Sequence, residues 1–385
     1  MYLRTPSPVK QRYLFIDLLR FCAVVLMIQG HVFDAVLSSA VKSLPKYYLH
    51  DFFHGFVAPA FLFSSGVAFG ISTMKRWERY IAWGPENYRR FARFSALLAI
   101  GYALHLPYFS LRKIITSASA AEMHAFYQVD ALQCIAVTLL TLQILVLTMK
   151  NVQSFVRAVA IAAVILVFGA PLVWSTHFSE RIPVWLVSYL NAQYGSFFPL
   201  FPWAAYLLCG LLFGYQFVRA AENGRDESMI QRRIAIHVAV IILAVVISWL
   251  PYDIYPAHDF WKTNPAMFAI RWSAVSIVAC VLFLMEKWIQ LPMQVPLILG
   301  RESLFIYILH LLVVYGSVLN RGLSERIGPT LTTIHSLGIV ALVLAAIAGV
   351  TVLWYEFKSR QRTAAFWISA GSAAVFLFEF LKRPW

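Results

Sequence analysis

LFIDLLRFCAVVLMIQGHVFDAVLSSAVKSLPKYYLHDFFHGFVAPAFLFSS, residues 14–65, decides how this chain folds. Two apolar segments, each long enough to cross a bilayer, flank a short polar connector. The first holds Asp17, Arg20 and His31; the second opens with His50, Asp51 and His54. Ionisable groups inside or at the edge of hydrocarbon are costly unless paired, so they are read first as functional. Arg20 and His31 are eleven residues apart, close to three full helical turns, so both face the same way, roughly 16 Å apart along the axis. Asp17, three residues before Arg20, is placed to pair with it. His50 and His54, at i and i+4, share one face of the next helix, and a short hairpin brings them near His31.

The composition agrees. The chain has 385 residues, 60% of them hydrophobic, 16% aromatic and 13% charged, with a mean hydropathy of +0.69. Ordinary soluble domains carry about 25% charged residues. Segments of period two are missing, which argues against a barrel. The sequence predicts an all-α polytopic membrane protein, a bundle of about 10–11 transmembrane helices. The expected spans are 13–38, 51–73, 91–110, 131–149, 153–174, 198–218, 233–250, 265–285, 301–320, 332–355 and 363–381. The last is short and carries Glu379, so it is either an extra C-terminal crossing or an interfacial helix.

The net charge of +14 does not call for nucleic acid, because membrane proteins gather Lys and Arg in cytoplasmic connectors. One alternating set of connectors holds Arg4, Lys10, Arg12, Lys75, Arg76, Arg79, Arg89, Arg90, Lys150, Arg219, Arg225, Arg232, Arg233, Lys287, Lys358, Arg360 and Arg362. The other holds Lys42, Lys46, Arg112, Lys113, Arg181, Lys262, Arg321 and Arg326, about half as many. This asymmetry predicts a multi-pass protein of the cell (inner) membrane with a cytoplasmic N-terminus and with His31, His50 and His54 toward the outer face. The basic N-terminus runs straight into a long span without a small-residue cleavage site, so a retained first helix is expected. Cys22, Cys134, Cys209 and Cys280 sit in apolar segments without metal-ligand spacing and read as core residues; no metal site is expected.

Other charges inside spans are few. Arg93 opens the third span. Asp130 opens the fourth and is followed by Gln133. Arg271 lies six residues into an apolar run, where it needs a partner or a ligand. Glu302 and His310 lie in the ninth, where His310 reads equally as a hydrogen-bonded structural group or as a ligand. The connectors 111–130 and 175–197 are too polar to span; their Trp185, Tyr189 and Tyr194 suit an interface belt better than a sugar-stacking wall. Residues 251–264 add Asp253, His258 and Asp259 on the histidine side.

Several stretches, in order, resemble a known group: IDLLRFCAVVLMIQGH (16–31), HDFFHGFVAPAFLFSSG (50–66), RRFARFSALLAIGYALHLP (89–107), FYQVDALQCIAV (126–137), FPLFPWAAYLLCGLLFG (198–214) and LGRESLFIYILHLL (299–312). They resemble the transmembrane acyltransferases of the heparan-α-glucosaminide N-acetyltransferase type, related to the acyltransferase type 3 membrane family. The resemblance covers roughly 12–355 and marks that stretch as a transmembrane acyltransferase domain. The type 3 family shows an Arg, ten residues and then a His in its first helix, here Arg20 and His31. The heparan-type enzymes carry a catalytic His a few residues before a Gly opening the second helix, which falls at His50 ahead of Gly55. They have Asn where this chain has His31, and the Asp of their second-helix motif falls at Ala60.

The resemblance implies acetyl-CoA as acyl-donor co-substrate and transfer of an acetyl group to an amine or hydroxyl of a carbohydrate on the outer face. Oligomerisation is left open. An imidazole of pKa near 6.5 suits the base such a transfer needs. His50 is then the base or acyl carrier, His31 positions the thioester, and His54 completes the catalytic group. Asp17, Arg20, Asp130 and Gln133 support it, and Arg93 and Arg271 hold the donor's phosphates. Direct transfer and an acyl-histidine intermediate both remain open. The rival class is a multi-pass transporter using the histidines as a proton relay; a scaffold without chemistry is the third.

Overall fold

The computed structural model describes residues 13–250, 254–288 and 294–383; Arg4, Lys10, Arg12 and Asp253 lie outside the described residues, as does the side chain of Lys287. The long helices, in order, are α1 (Leu14–Val36), α2 (Pro45–His54), α3 (Val57–Met74), α4 (Pro85–Leu104), α5 (Ala131–Met149), α6 (Val152–Ser175) and α7 (Leu200–Glu222). They continue with α8 (Asp226–Ser248), α9 (Pro265–Trp288), α10 (Gln294–Arg301), α11 (Ser303–Val314), α12 (Thr333–Arg360) and α13 (Arg362–Lys382). Among the described residues the strands are confined to a hairpin pairing Gly316–Ser317 with Asn320–Arg321. Nine helices there are long and apolar enough to cross a membrane, with α2 and α3 counted together, and the bent pair α10–α11 makes a tenth. Helix α4 carries Glu86, Arg89, Arg90 and Arg93, too much charge for that set, yet it runs between the same two ends of the bundle. The fold is the all-α membrane bundle that the hydropathy pattern implies.

The two ends are chemically distinct. At the basic end Arg301 Nε donates to Asp17 Oδ2 at 3.1 Å, and buried Arg90 donates to Thr73 Oγ1 and Gln143 Oε1, each at 3.0 Å. Lys358 pairs there with Glu302. At the opposite, histidine end, α1 finishes beside α2, and the Tyr315 hydroxyl donates to Asp34 Oδ2 at 2.9 Å. Helix α1 packs against α3, α9, α10, α11 and α12, so its polar residues reach both ends through the middle of the bundle.

Two expected spans take a different form, and the last takes the first of its two expected forms. The span at 51–73 is two helices, with His50 and His54 on α2 and the crossing on α3. The cause is Pro59: it has no N–H for the Gly55 carbonyl, and its ring clashes with that carbonyl in a continuous helix. The ninth span is broken between α10 and α11, which meet at 78°. The break falls at Arg301 and Glu302, where side chains tie the irregular segment to Asp17 and Lys358, as buried irregular backbone requires. The last segment, α13, leaves the basic end beside Arg360; at its other end Arg383 O accepts from Ser110 Oγ at 2.6 Å, just beyond α4. It therefore runs the full height of the bundle.

The tightest crossing joins α3 to α7. A Cβ on Gly66 would run into the Leu207 carbonyl oxygen, and one on Gly210 into that of Phe63. Gly70 and Gly214, each four residues further on, face the partner backbone in the same way, with a Cβ on Gly214 only 2.7 Å from Val67 O. Small residues at i and i+4 on both helices replace the missing hydrophobic drive in lipid with backbone contact. Gly66→Leu is expected to lower stability by ~1–3 kcal/mol or more, since backbone on both sides leaves no room to repack. A thermal melt in detergent measures this, and an unchanged midpoint would mean that the helices separate freely.

Candidate active site

At the histidine end, the last third of α1 carries the sequence Gln29-Gly30-His31. Gly30 is there because the His54 ring occupies the space a Cβ would fill. With α2 brought back over α1, the rings of His31 and His54 lie 5.9 Å apart and those of His50 and His54 stack at 6.0 Å. The three histidines of the sequence motif are thus gathered in one cluster. His50 also stacks on Phe33 at 5.2 Å and on Tyr47 at 4.9 Å.

Helix α11 adds a fourth imidazole. His310, fully buried, places Nε2 2.9 Å from His31 Nδ1. Its own Nδ1 lies 3.1 Å from the Ile306 carbonyl. A carbonyl only accepts, so Nδ1 of His310 carries the proton. With the ring neutral, Nε2 accepts from His31 Nδ1–H. Neutral His31 then presents a bare Nε2, which has no hydrogen-bond partner among the described residues.

The same reasoning fixes His50. Its Nδ1 sits 3.2 Å from Asp51 Oδ1 and its Nε2 2.9 Å from Gln29 Nε2. Its Nε2 also lies 3.1 Å from Gln29 Oε1; with Nδ1–H given to the carboxylate, neutral His50 accepts from the Gln29 N–H, and the imidazolium donates to Gln29 Oε1. Asp51 thereby holds the tautomer a general base needs. His50 is half-buried at the mouth, whereas His31 and His310 lie deeper.

Below the cluster, one turn before His310, Tyr307 donates to Asp130 Oδ2 at 2.7 Å. Asp130 caps α5, accepting from Ala131 N–H at 2.7 Å, and lies 3.8 Å from His105 Nε2. His31, His310, Tyr307, Asp130 and His105 form a polar chain drawn from α1, α11, α5 and the end of α4. Met27, Val57, Leu132 and Tyr307 pack together as its apolar floor. Gln133, fully buried, fills the space against Gly101 of α4, and its Oε1 has no partner among the described residues.

The remaining expected site residues are dispersed. Arg20 donates to Ser64 Oγ at 3.3 Å, between α1 and α3, and Asp17 binds Arg301 nearer the basic end. Arg271 packs on Gly55, where a Cβ would lie 2.7 Å from Nη2, and donates to the Trp261 carbonyl at 2.6 Å. Its Nε is buried without a partner among the described residues. Arg93 is exposed on α4, one turn from Arg90, which reaches Ser72 and Thr73 at the far end of α3. Arg271 and Arg93 therefore stand at opposite ends of α3, roughly 26 Å apart along its axis, and a single phosphate cannot touch both. His258 and Asp259 order their own loop: His258 meets the Pro256 carbonyl at 2.9 Å and Asp259 caps the next short helix.

Gln29, Asp51, His105, Tyr307 and His310 join the cluster without having stood out as a set in the sequence. Gln29, Asp51 and His105 lie toward the ends of their segments that meet the histidine end, whereas Tyr307 and His310 lie within α11.

Among curated proteins none matches the chain. Residues 12–252 match the catalytic domain of heparan-alpha-glucosaminide N-acetyltransferase. That stretch contains His31, His50, His54, His105 and Asp130, and it ends before Arg271, Tyr307 and His310. A match over more than half of the chain, with its histidines gathered at one end of a helical membrane bundle, places the chain in the heparan-alpha-glucosaminide N-acetyltransferase catalytic family, as a multi-pass membrane acetyltransferase.

Proposed function

We propose that this enzyme moves an acetyl group from acetyl-CoA to an amine or hydroxyl of a carbohydrate, at the histidine end, and that this end faces away from the cytoplasm. The observation that carries the reading is the Asp51–His50–Gln29 arrangement, an imidazole bonded to a carboxylate through Nδ1 and to the Gln29 amide through Nε2 at the mouth of the bundle. The acceptor's amine or hydroxyl takes the place of the Gln29 amide. His50 Nε2 removes its proton as the acceptor attacks the thioester carbonyl. The tetrahedral intermediate collapses, the C–S bond breaks, and the imidazolium returns the proton to the CoA thiolate. The buried Arg271 guanidinium, packed on Gly55, opposes the developing oxyanion, and His31, whose bare Nε2 can only accept, lies on the other side of His54 and positions the donor. The excess of Lys and Arg at the other end supports a cytoplasmic N-terminus.

Purified protein in detergent, given labelled acetyl-CoA and an amino sugar, should form labelled product without any membrane gradient. Flux that needs a gradient, with no product, would favour the transporter. Arg271→Leu is expected to weaken acetyl-CoA binding or slow transfer by ~10-fold or more, the scale of one lost charge-assisted contact, with acceptor affinity unchanged. Isothermal titration with each substrate separately checks this; unchanged donor affinity and rate would make Arg271 a structural partner of Trp261 and Gly55.

A further inference from the structure

An apolar cleft of about 430 Å³ lies between α6, α7, α8 and α9, away from the histidine cluster. Its walls are Ala163, Val164 and Val167 of α6, Leu212 of α7, and Phe268 and Trp272 of α9. Val164 is 56% exposed, so the cleft opens sideways between α6 and α8 onto the hydrocarbon. His237 belongs to the wall: it is buried, meets Ser273 Oγ at 3.2 Å and lies edge-on to Trp272.

The end of the cleft nearest the basic end is polar. Gln216 and Arg233 line it. Among the described residues, buried Gln216 Oε1 has no hydrogen-bond partner and half-buried Arg233 has no carboxylate partner. An arginine at this depth needs a counter-charge. Further basic groups continue the same faces one turn outward. Arg157 stands three residues before Ala160 on α6, and Arg219 three residues after Gln216 on α7; both are exposed, and Arg232 is exposed beside Arg233. Glu222, a further turn beyond Arg219, is exposed too.

We infer that this cleft is a binding site for a glycerophospholipid with an anionic headgroup, its acyl chain in the cleft and its phosphate between Arg233, Arg219 and Arg157. An apolar cleft of this size open to the bilayer is filled by hydrocarbon rather than water. A basic mouth at the same leaflet as the other Lys and Arg residues selects the charged headgroup. A soluble anion would use the arginines but leave the apolar walls empty; a zwitterionic lipid would fill the walls and offer its phosphate, but its headgroup cation would be repelled by the neighbouring arginines.

The test is native mass spectrometry of the protein released from nanodiscs of phosphatidylcholine and phosphatidylglycerol in equal parts. Phosphatidylglycerol should be retained over phosphatidylcholine. Arg233→Gln should cut that preference about five-fold, the scale of one basic residue near a membrane surface, and Arg233→Lys should restore it. Ala163→Trp, which fills the cleft, should release both lipids while the protein keeps its melting temperature. Excess glycerol 3-phosphate should not displace the bound lipid. Equal retention of the two lipids, a preference that survives both Arg233→Gln and Ala163→Trp, displacement by glycerol 3-phosphate, or a second copy of the chain held through α6 and α8 would each overturn the assignment.

Discussion

Replacing His50 by alanine is expected to cut acetyl transfer by ~10²–10⁴-fold, the usual contribution of a general base, and to leave acetyl-CoA affinity near that of the parent enzyme. His50 sits at the mouth, where a hydrophilic acceptor arrives, and Asp51 fixes its tautomer from the solvent side. Asp51→Asn should fall between the two, since the ring stays but its Nδ1–H loses a charged acceptor. His31→Ala should behave differently. Its ring is bonded to His310 in the interior, on the path the thioester takes, so transfer and donor binding should both suffer. Turnover and donor affinity, measured on variants that remain folded, separate the cases. Near-normal turnover in His50→Ala with a dead His31→Ala would make His31 the base, acting through its free Nε2. Activity in both would remove histidine from the mechanism.

The second large effect is on stability. Asp17→Ala should destabilise the protein by ~3–5 kcal/mol, because it leaves Arg301 with an uncompensated charge at a buried contact. Asp17 is 3% exposed and its carboxylate holds Arg301 at 3.1 Å; among the described residues the Tyr355 hydroxyl, at 3.3 Å, is the other side-chain acceptor of Arg301. The pair also fastens the break between α10 and α11 to α1, with Gly300 pressed against the Asp17 carbonyl. Asp17→Asn should cost less, since an amide can still accept from the guanidinium. Asp17 lies roughly 21 Å along α1 from His31, so activity per folded molecule should hold. A stable Asp17→Ala protein that has lost turnover would give Asp17 a part in the chemistry instead. Thermal denaturation in detergent beside the acetyl-transfer assay decides.

The acid–base chain shows where sequence reasoning stops. The i, i+4 spacing of His50 and His54 and the hairpin before them predicted that the pair would come near His31: His54 lies against His31, and His50 stacks on His54. Their third neighbour, His310, stands 279 residues from His31, and no local pattern marks that contact. Asp130 was visible as a lone acid at a helix start, but its Tyr307 and His105 contacts come from α11 and from the end of α4. Arg93, at the edge of its span, and Arg271, inside an apolar run, were both expected to hold the donor's phosphates, yet they stand toward opposite ends of α3. Distance along a sequence says nothing about depth once the helices pack side by side.

By itself the sequence determined the all-α membrane class, the helix count, the segregation of basic residues and the gathering of His31, His50 and His54. Those properties depend on hydropathy, helical period and short loops, all of them local. Tertiary structure alone decided the 78° bend between α10 and α11, the partners of Asp17 and Arg301, and the tautomer of His31. Each of these depends on which backbone carbonyl, carboxylate or imidazole a distant helix brings within 3 Å or so, a length at which hydrogen bonds form and periodicity carries no information.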